Sequence, residues 1–375
     1  MTLHSFTIFE QLILGLFALS VLIQLIYYWA IFARLAFYKF PANNLQKPPV
    51  SVIIAARNEY YNLQENLPVI LEQDYPDFEV VVVNHTSTDD SAMLLKELQS
   101  KYPNLKVVHI EKDLNFFHGK KFPLSLGIKS AANDILLLTD ADCKPLSKNW
   151  ITGMVEHYTP ETEIVLGYGP YLPEKGLLNL FIRYDTFMVA MQYLSFSLIG
   201  MTYMGVGRNL SYTRTMFFRN KGFTSHYQIA SGDDDLFINQ ASNKRNTRIA
   251  LQINSFSYSV PKRTFKDWIQ QKRRHLTTGK KYKFKFKILL GIFSSSQLFV
   301  YLFGALLLVF KVLPWFVLGL FLLRFITQSI VNKKVLGKLQ ERHLYLFSLV
   351  GELFYTLLIP LLALTSVFSK TVKWK

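Results

Sequence analysis

Hydrophobic positions follow two patterns along this chain. At its start and over its last quarter they form long unbroken stretches, and between these they come in short runs spaced among amphipathic segments. Phe6 to Phe37 holds the first long stretch; Ile288–Phe310, Val312–Val331 and Tyr345–Phe368 are the others, each about the ~20 residues needed to cross a bilayer. Four spans are expected. The first lacks a basic n-region and an A-x-A-like cleavage site, so it reads as an anchor and not a cleaved signal. In the middle, Val50–Ala55, Glu79–Val83, Lys106–Ile110 and Ile135–Thr139 are short β-rich runs. Helical patterns lie at Glu59–Gln73, Asp89–Lys101 and Lys121–Ala132. Strands alternating with helices predict an α/β domain, a mostly parallel sheet with helices on both faces. Gly176–Gly200 is apolar too, but Arg183 and Asp185 near its centre would be costly in lipid. It is expected as an interfacial helix where the soluble domain meets the membrane.

Composition strengthens this picture. Half of the 375 residues are hydrophobic, mean hydropathy is +0.18 and net charge is +16, unusual for a soluble enzyme and ordinary for a membrane protein with a basic face. The basic loop Asn332–His343 belongs in the cytoplasm by the positive-inside rule, and residues 38–287 then fall on the same side. Lys370, Lys373 and Lys375 fall opposite, which the rule does not favour. Charge clusters beside the spans, so membrane apposition explains it better than nucleic-acid binding does. The single cysteine, Cys143, permits no intrachain disulfide. The expected organisation is a transmembrane anchor (1–37), a cytoplasmic domain (38–260), a basic amphipathic interfacial segment (261–287) and a C-terminal transmembrane region (288–375).

Polar clusters follow the strands. Thr139-Asp140-Ala141-Asp142 ends the fourth apolar run, where the backbone bends and both carboxylates can approach one cation. Mg²⁺ typically takes one or two carboxylates plus substrate phosphates. Ala56-Arg57-Asn58-Glu59 follows the first strand, and Asn84-His85-Thr86-Ser87-Thr88-Asp89-Asp90 the second. All three lie at carboxyl ends of strands, the edge where open α/β sheets bind ligands. A nucleotide site with a divalent metal is expected.

In that order, these motifs resemble a family 2 membrane glycosyltransferase with a GT-A fold, the group of cellulose and hyaluronan synthases. SVIIAARNE resembles its opening strand, VVVNHTSTDDS its nucleotide loop, and Gly119-Lys120 with Leu124 and Gly127 its Gly-Lys helix start. Ser231-Gly232-Asp233-Asp234-Asp235-Leu236 resembles its Thr-Glu-Asp-x-Asp-Leu region, and Gln271-Lys272-Arg273-Arg274-His275 its Gln-x-x-Arg-Trp motif. The resemblance implies donor contacts from Ala56, Arg57, Asn58, Glu59, Asn84, His85, Lys120, Asp140, Gln271 and Arg274. It implies acceptor contacts from Gly207, Arg208, Asn209, Trp268 and His275.

The chemistry agrees. A leaving diphosphate needs a divalent ion (Mn²⁺ or Mg²⁺) held by Asp142 with Asp140, and Arg274 suits a phosphate clamp. One carboxylate must take the acceptor's proton. Alignment on Asp235-Leu236 places that base at Asp233, with Asp234 the runner-up, and neighbouring like charges raise at least one pKa there. The same acidic residues would also suit a plain helix N-terminus.

Three departures stand out: His85 replaces the loop's aspartate, Gly232 the glutamate before the base, and His275 the tryptophan of the last motif. Four spans are also few for a secretion channel. The expected function is therefore inverting hexosyl or N-acetylhexosaminyl transfer from a nucleotide sugar, a UDP-sugar foremost, to a lipid or lipid-linked glycan. Cell-envelope synthesis at a bacterial inner membrane is the expected setting. The alternatives are a processive synthase subunit and a non-catalytic scaffold with a degenerate domain. A nucleotidyltransferase would carry a Gly-rich loop, and Ala55–Glu59 contains no glycine.

Overall fold

Every long apolar stretch is helical in the computed structural model, which describes residues 6–40, 46–112 and 119–366. The chain divides into two units: a helical one, Met1–Tyr38 with Lys283–Leu364, and an α/β one built on Lys39–Tyr282.

In the helical unit, α1 (Ile8–Ile26) opens on a capping box: Thr7 Oγ1 accepts from the Glu10 N–H, and the Glu10 carboxylate accepts from the Thr7 N–H. It passes through a π-helical turn, Tyr27–Phe32, into α2 (Ala33–Ala36). Ile13, Phe17 and Val21 face inward, while Ile8, Leu12, Leu19 and Leu22 are exposed, as a lipid-facing surface would be.

The α/β unit alternates as its sequence pattern predicts: β1 (Val50–Ala56), α3 (Tyr60–Leu71), β2 (Phe78–His85), α4 (Ser91–Lys101), β3 (Leu105–Ile110), α5 (Lys121–Ser130) and β4 (Ile135–Leu138). The remaining elements follow; apart from α7 and α10, which the sequence pattern anticipated, they are short and no long periodic run announced them. They are β5 (Cys143–Pro145), α6 (Trp150–Val155), β6 (Ile164–Leu166), α7 (Leu177–Leu198), β7 (Leu210–Thr213), α8 (Arg214–Arg219), α9 (Asp235–Ala241), β8 (Thr247–Ile249), β9 (Ser257–Ser259) and α10 (Phe265–Gly279).

The seven-stranded sheet runs β3-β2-β1-β4-β7-β6-β8. β1 to β4 are parallel, and β7 enters antiparallel between β4 and β6. The chain builds outward from β1 to β3 and returns to place β4 beside β1. That reversal is the crevice in which open sheets bind ligands, and Asp140 and Asp142 follow β4 there. β5 pairs with β9 in a separate two-stranded sheet just beyond the carboxylates.

α7 is a helix as expected, but its charges are met within this unit. Asp185 is buried against Lys272 of α10, Nζ to Oδ2 2.6 Å. α10 itself, drawn from the basic segment, is part of the α/β unit.

The helical unit ends with α11 (Phe284–Val309), α12 (Pro314–Lys338) and α13 (Tyr345–Ser366). Gly304 of α11 lets Phe17 approach: a Cβ there would stand 3.1 Å from its ring. Among the described residues, four helices are long and apolar enough to cross a membrane: Ile8–Ala36, Phe284–Val309, Pro314–Lys338 and Arg342–Thr365. The expected basic loop at 332–343 is corrected, since α12 continues to Lys338 and buries Asn332. Lys370, Lys373, Lys375 and the end of the last expected span lie outside the described residues.

Candidate active site

The loops after β1 and β2 are sewn together. Asn58 adopts a left-handed backbone (φ 54°). Its Oδ1 accepts from the Thr88 N–H at 2.8 Å and its own N–H donates to Ser87 Oγ at 3.0 Å. The Glu59 N–H donates to Ser91 Oγ, and the Tyr60 N–H to Asp89 Oδ2. Asp89 thus serves the loop: burial opposes its ionisation, but hydrogen bonds from Ser91 and Tyr60 hold its carboxyl below the usual range. Ala56 is buried beneath this joint and Arg57 half-buried. Asn84 and His85 are buried at the end of β2, with Asn84 Nδ2 3.4 Å from His109 Nδ1 on β3.

The Asp-x-Asp pair turns back toward this joint. Burial raises the Glu59 pKa, and Asp142 and Asp140 add to it, so the three acids share one neighbourhood. Ligand atoms of Asp140, Asp142 and Cys143 lie within 4.8 Å of one another. Lys120 Nζ reaches Asp140 Oδ1 at 2.6 Å. Burial alone would lower the Lys120 pKa, but Asp140 and Asp233 hold it well above the ordinary lysine value. Burial likewise opposes ionisation of Asp140, yet Lys120, Arg208 and Arg274 keep its pKa low. Arg208 packs its guanidinium 4.1 Å over the Tyr171 ring, while Thr139 Oγ1 donates to its carbonyl. Its Nη1 is buried with no hydrogen-bond partner among the described residues. Gln271 Nε2 donates to Tyr171 OH at 3.2 Å, which ties α10 to the same ring. Three cations from three segments therefore surround two carboxylates. Asp140 is engaged by Lys120, whereas Asp142 receives only the Cys143 thiol at 3.6 Å among the described residues. Such an oxygen-rich pair, with one carboxylate open, fits a hard divalent cation.

The acidic turn packs against the Gly-Lys segment. Gly119 (φ 94°) has no room for a side chain, since a Cβ would fall 2.2 Å from the Ala230 carbonyl oxygen. Lys121 is buried and donates to the carbonyls of His226 and Ile229 at 2.6 and 2.7 Å. Burial pushes its pKa down to about 8, although Asp233, Asp235 and Asp234 oppose the shift.

The three aspartates then part company. Asp235 is buried, its carboxylate accepting from the hydroxyls of Thr278 and Tyr282. Asp234 accepts from the N–H groups of Gly207 (2.8 Å) and Asp235 (2.7 Å), and burial with its two acidic neighbours pushes its pKa up to about 8. Asp233 has no hydrogen bond to its carboxylate among the described residues, and Lys120 and Lys121 feel its charge.

The residues expected at the acceptor fall in different settings. Asn209 is fully buried, its amide bonded to Trp150 Nε1 and to the carbonyls of Tyr168 and Ser255, so its side chain faces the interior and no acceptor. Trp268 is buried against Phe265. Arg208 stands beside the Asp-x-Asp pair. Gly207 touches the acidic turn through its N–H, and His275 is exposed on α10. Lys121, Tyr171, Thr278 and Tyr282 were not anticipated. Only Lys121, adjoining the Gly-Lys pair, carried a local signal.

The architecture is similar to that of a mannosyltransferase from Pyrobaculum calidifontis solved with GDP-Man and Mn²⁺: TM-score 0.57, 19% identity, 92% of this chain and 99% of that one. Among curated relatives, a poly-beta-1,6-N-acetyl-D-glucosamine synthase of Staphylococcus epidermidis is 28% identical over 38% of this chain and 33% of its own. A beta-monoglucosyldiacylglycerol synthase of Synechocystis is 26% identical over 39% of this chain and 29% of its own. The chain thus spans about a third of the length of these relatives. Residues 14–375 match Glycosyl transferase family 21, and the chain belongs to that family rather than to the family 2 its motifs suggested.

Proposed function

We propose that this glycosyltransferase is metal-dependent and inverting, and that it moves one or a few sugars from a nucleotide-diphosphate sugar to a lipid or lipid-linked glycan. The observation that carries the reading is the meeting of Lys120, Arg208 and Arg274 around Asp140 and Asp142, with Asp233 open beside Lys120. Cleavage of the sugar–diphosphate bond places growing negative charge on the leaving group. Fixed cations stabilise such charge most where water is scarce.

A divalent ion held by Asp142, with Asp140 adjacent, would supply Lewis-acid stabilisation of that diphosphate. Lys120 balances Asp140, so the site accepts phosphate charge without carrying a large net charge of its own. Arg208 offers a buried Nη1 with no partner among the described residues, and Arg274 a second guanidinium suited to phosphate oxygens. On the acceptor side, Asp233 takes the hydroxyl proton as the new glycosidic bond forms. Asp234 holds the Gly207 loop and Asp235 is already engaged, which supports Asp233 as the base with Asp234 the runner-up. Attack opposite the departing diphosphate inverts the anomeric centre. The glycolipid synthase among the relatives and the four apolar helices support a membrane acceptor.

The test is nucleotide diphosphate release by the detergent-purified chain over a panel of UDP- and GDP-sugars, with Mn²⁺, Mg²⁺ or chelator and with membrane lipids as acceptor. Release from one donor, lost with chelator and in Asp142→Ala, is the expected result. Release that persists in Asp233→Asn and stops in Asp234→Asn would move the base to Asp234. Silence across the panel would favour a non-catalytic role.

A further inference from the structure

One carboxylate of the acidic turn is removed from solvent and from chemistry. Asp235 begins α9, and its Oδ1 accepts from the Leu236 N–H. Its Oδ2 accepts from two hydroxyls that come from far along the chain, Thr278 in the last turn of α10 and Tyr282 just beyond it, the latter at 2.7 Å. Tyr282 is itself seated, its ring 5.7 Å from that of Tyr203. Charge-assisted hydrogen bonds of this kind are short and directional, and two on one oxygen fix a helix end in both position and rotation. Asp235 is adjacent in sequence to Asp234 and two residues from Asp233.

The rest of α10 is held from other sides. Lys272 is buried against Asp185 of α7, and Gln271 reaches Tyr171, on whose ring Arg208 lies. Lys272 and Thr278 are buried, whereas Gln271 and Arg274 remain half-buried on the face toward the Asp-x-Asp pair, where the charge of Arg274 reaches Asp140.

We propose that Asp235 is a positioning residue that, through Thr278 and Tyr282, locks α10 to the acidic turn and so sets Arg274 relative to the base Asp233. Donor-side clamp and acceptor-side base are then parts of one rigid assembly, with Lys272–Asp185 as its second fastening. The proposal rests on reading Arg274 as a diphosphate-binding residue.

A double-mutant cycle on the full-length protein tests it, with UDP and, in parallel, GDP as probes in the presence of Mn²⁺, and affinity as the readout. Tyr282→Phe keeps the ring and removes one hydroxyl, so it should fold. Thr278→Val serves as the second variant, and circular dichroism confirms both. Each is expected to weaken nucleotide binding about three- to tenfold in the wild-type background and to have no further effect once Arg274→Ala is present. Equal weakening in both backgrounds would show a general structural role and overturn the proposal, as would no weakening in either. If Arg274→Ala binds as the parent does, the premise about the clamp fails while the transferase reading stands. If the wild-type protein binds neither nucleotide, the functional reading fails and this proposal with it.

Discussion

Two charge networks, one buried in the helical unit and one half-buried in the α/β unit, are built from the same chemistry and end in opposite states. In the helical unit, Arg324 of α12 and Glu352 of α13 pair at 1% exposure each. Glu352 also accepts from Gln297 Nε2 (2.6 Å) and Tyr301 OH (2.8 Å) of α11, while Arg324 donates to Gln328 and to Gln24 Oε1 of α1. Each of the four long helices contributes. Both carboxylate oxygens are filled, and of the guanidinium only Nε lacks a hydrogen-bond partner among the described residues. In the α/β unit, Lys120 and Asp140 also pair closely, but among the described residues the surrounding groups stay open: Arg208 Nη1, most of Asp142, and Asp233. Buried charge is costly unless paired and hydrogen-bonded. A network that satisfies itself holds helices together, and one left incomplete is suited to receive a charged ligand.

Breaking the closed network should have the largest effect. Arg324→Ala leaves Glu352 buried and uncompensated and is expected to cost about 3–5 kcal/mol of stability, read as an early melting transition in detergent. Arg324→Met with Glu352→Leu should recover much of that loss, because two apolar residues leave no orphan charge. A double variant no better than the single would show that the pair is needed for more than neutrality.

The open network should answer in rate and not in melting. Asp142→Ala is expected to lower kcat about 10²–10³-fold, the scale of losing a principal transition-state electrostatic contact, with the melting midpoint nearly unchanged. A large loss of stability instead would mean that Asp142 is structural. Arg208→Ala is expected to raise the donor KM about tenfold, or ~1.4 kcal/mol, while Arg208→Lys recovers part of it. An effect on acceptor KM alone would return Arg208 to the acceptor side.

The last effect is a slope. The Asp234 pKa is raised from 3.8 to about 8 by burial and its acidic neighbours, so the folded state keeps a proton that the unfolded chain has released. Its contribution is fully present below about pH 4 and is lost as pH rises toward 8. One such group supplies at most about 1.4 kcal/mol per pH unit. Asp234→Asn should flatten the decline in melting midpoint between pH 5 and 8; an unchanged slope would assign it to another group.

Periodicity alone carried much of the architecture. Four apolar stretches became four long helices, and the alternation from Val50 to Thr139 became β1 to β4 with their helices, because apolar length and alternation are local properties. The Asp-x-Asp pair was legible for the same reason: a strand end marked by a sharp change from apolar to acidic is visible without a fold. The short elements β5 to β9 were not visible, since three or four residues hold too little periodicity and their pairing is set by distant partners such as Ser211 beside Leu137 and Ile164–Leu166 beside Leu210–Tyr212. Family membership, too, was only partly read, because motifs shared across related transferases do not separate family 21 from family 2.

The sequence by itself determined the membrane-type helices, the α/β alternation and the acidic and basic residue types available to a site. Only the tertiary structure decided which of them remain available. Asn209 and Asp235 look as chemical in the sequence as Asp142 and Asp233, yet their side chains are occupied by Trp150, Tyr168 and Ser255 in one case and by Thr278 and Tyr282 in the other. The physical reason is that a polar group's role depends on whether its hydrogen-bonding capacity is already filled. The filling partners here lie tens of residues away, where only the folded chain brings them.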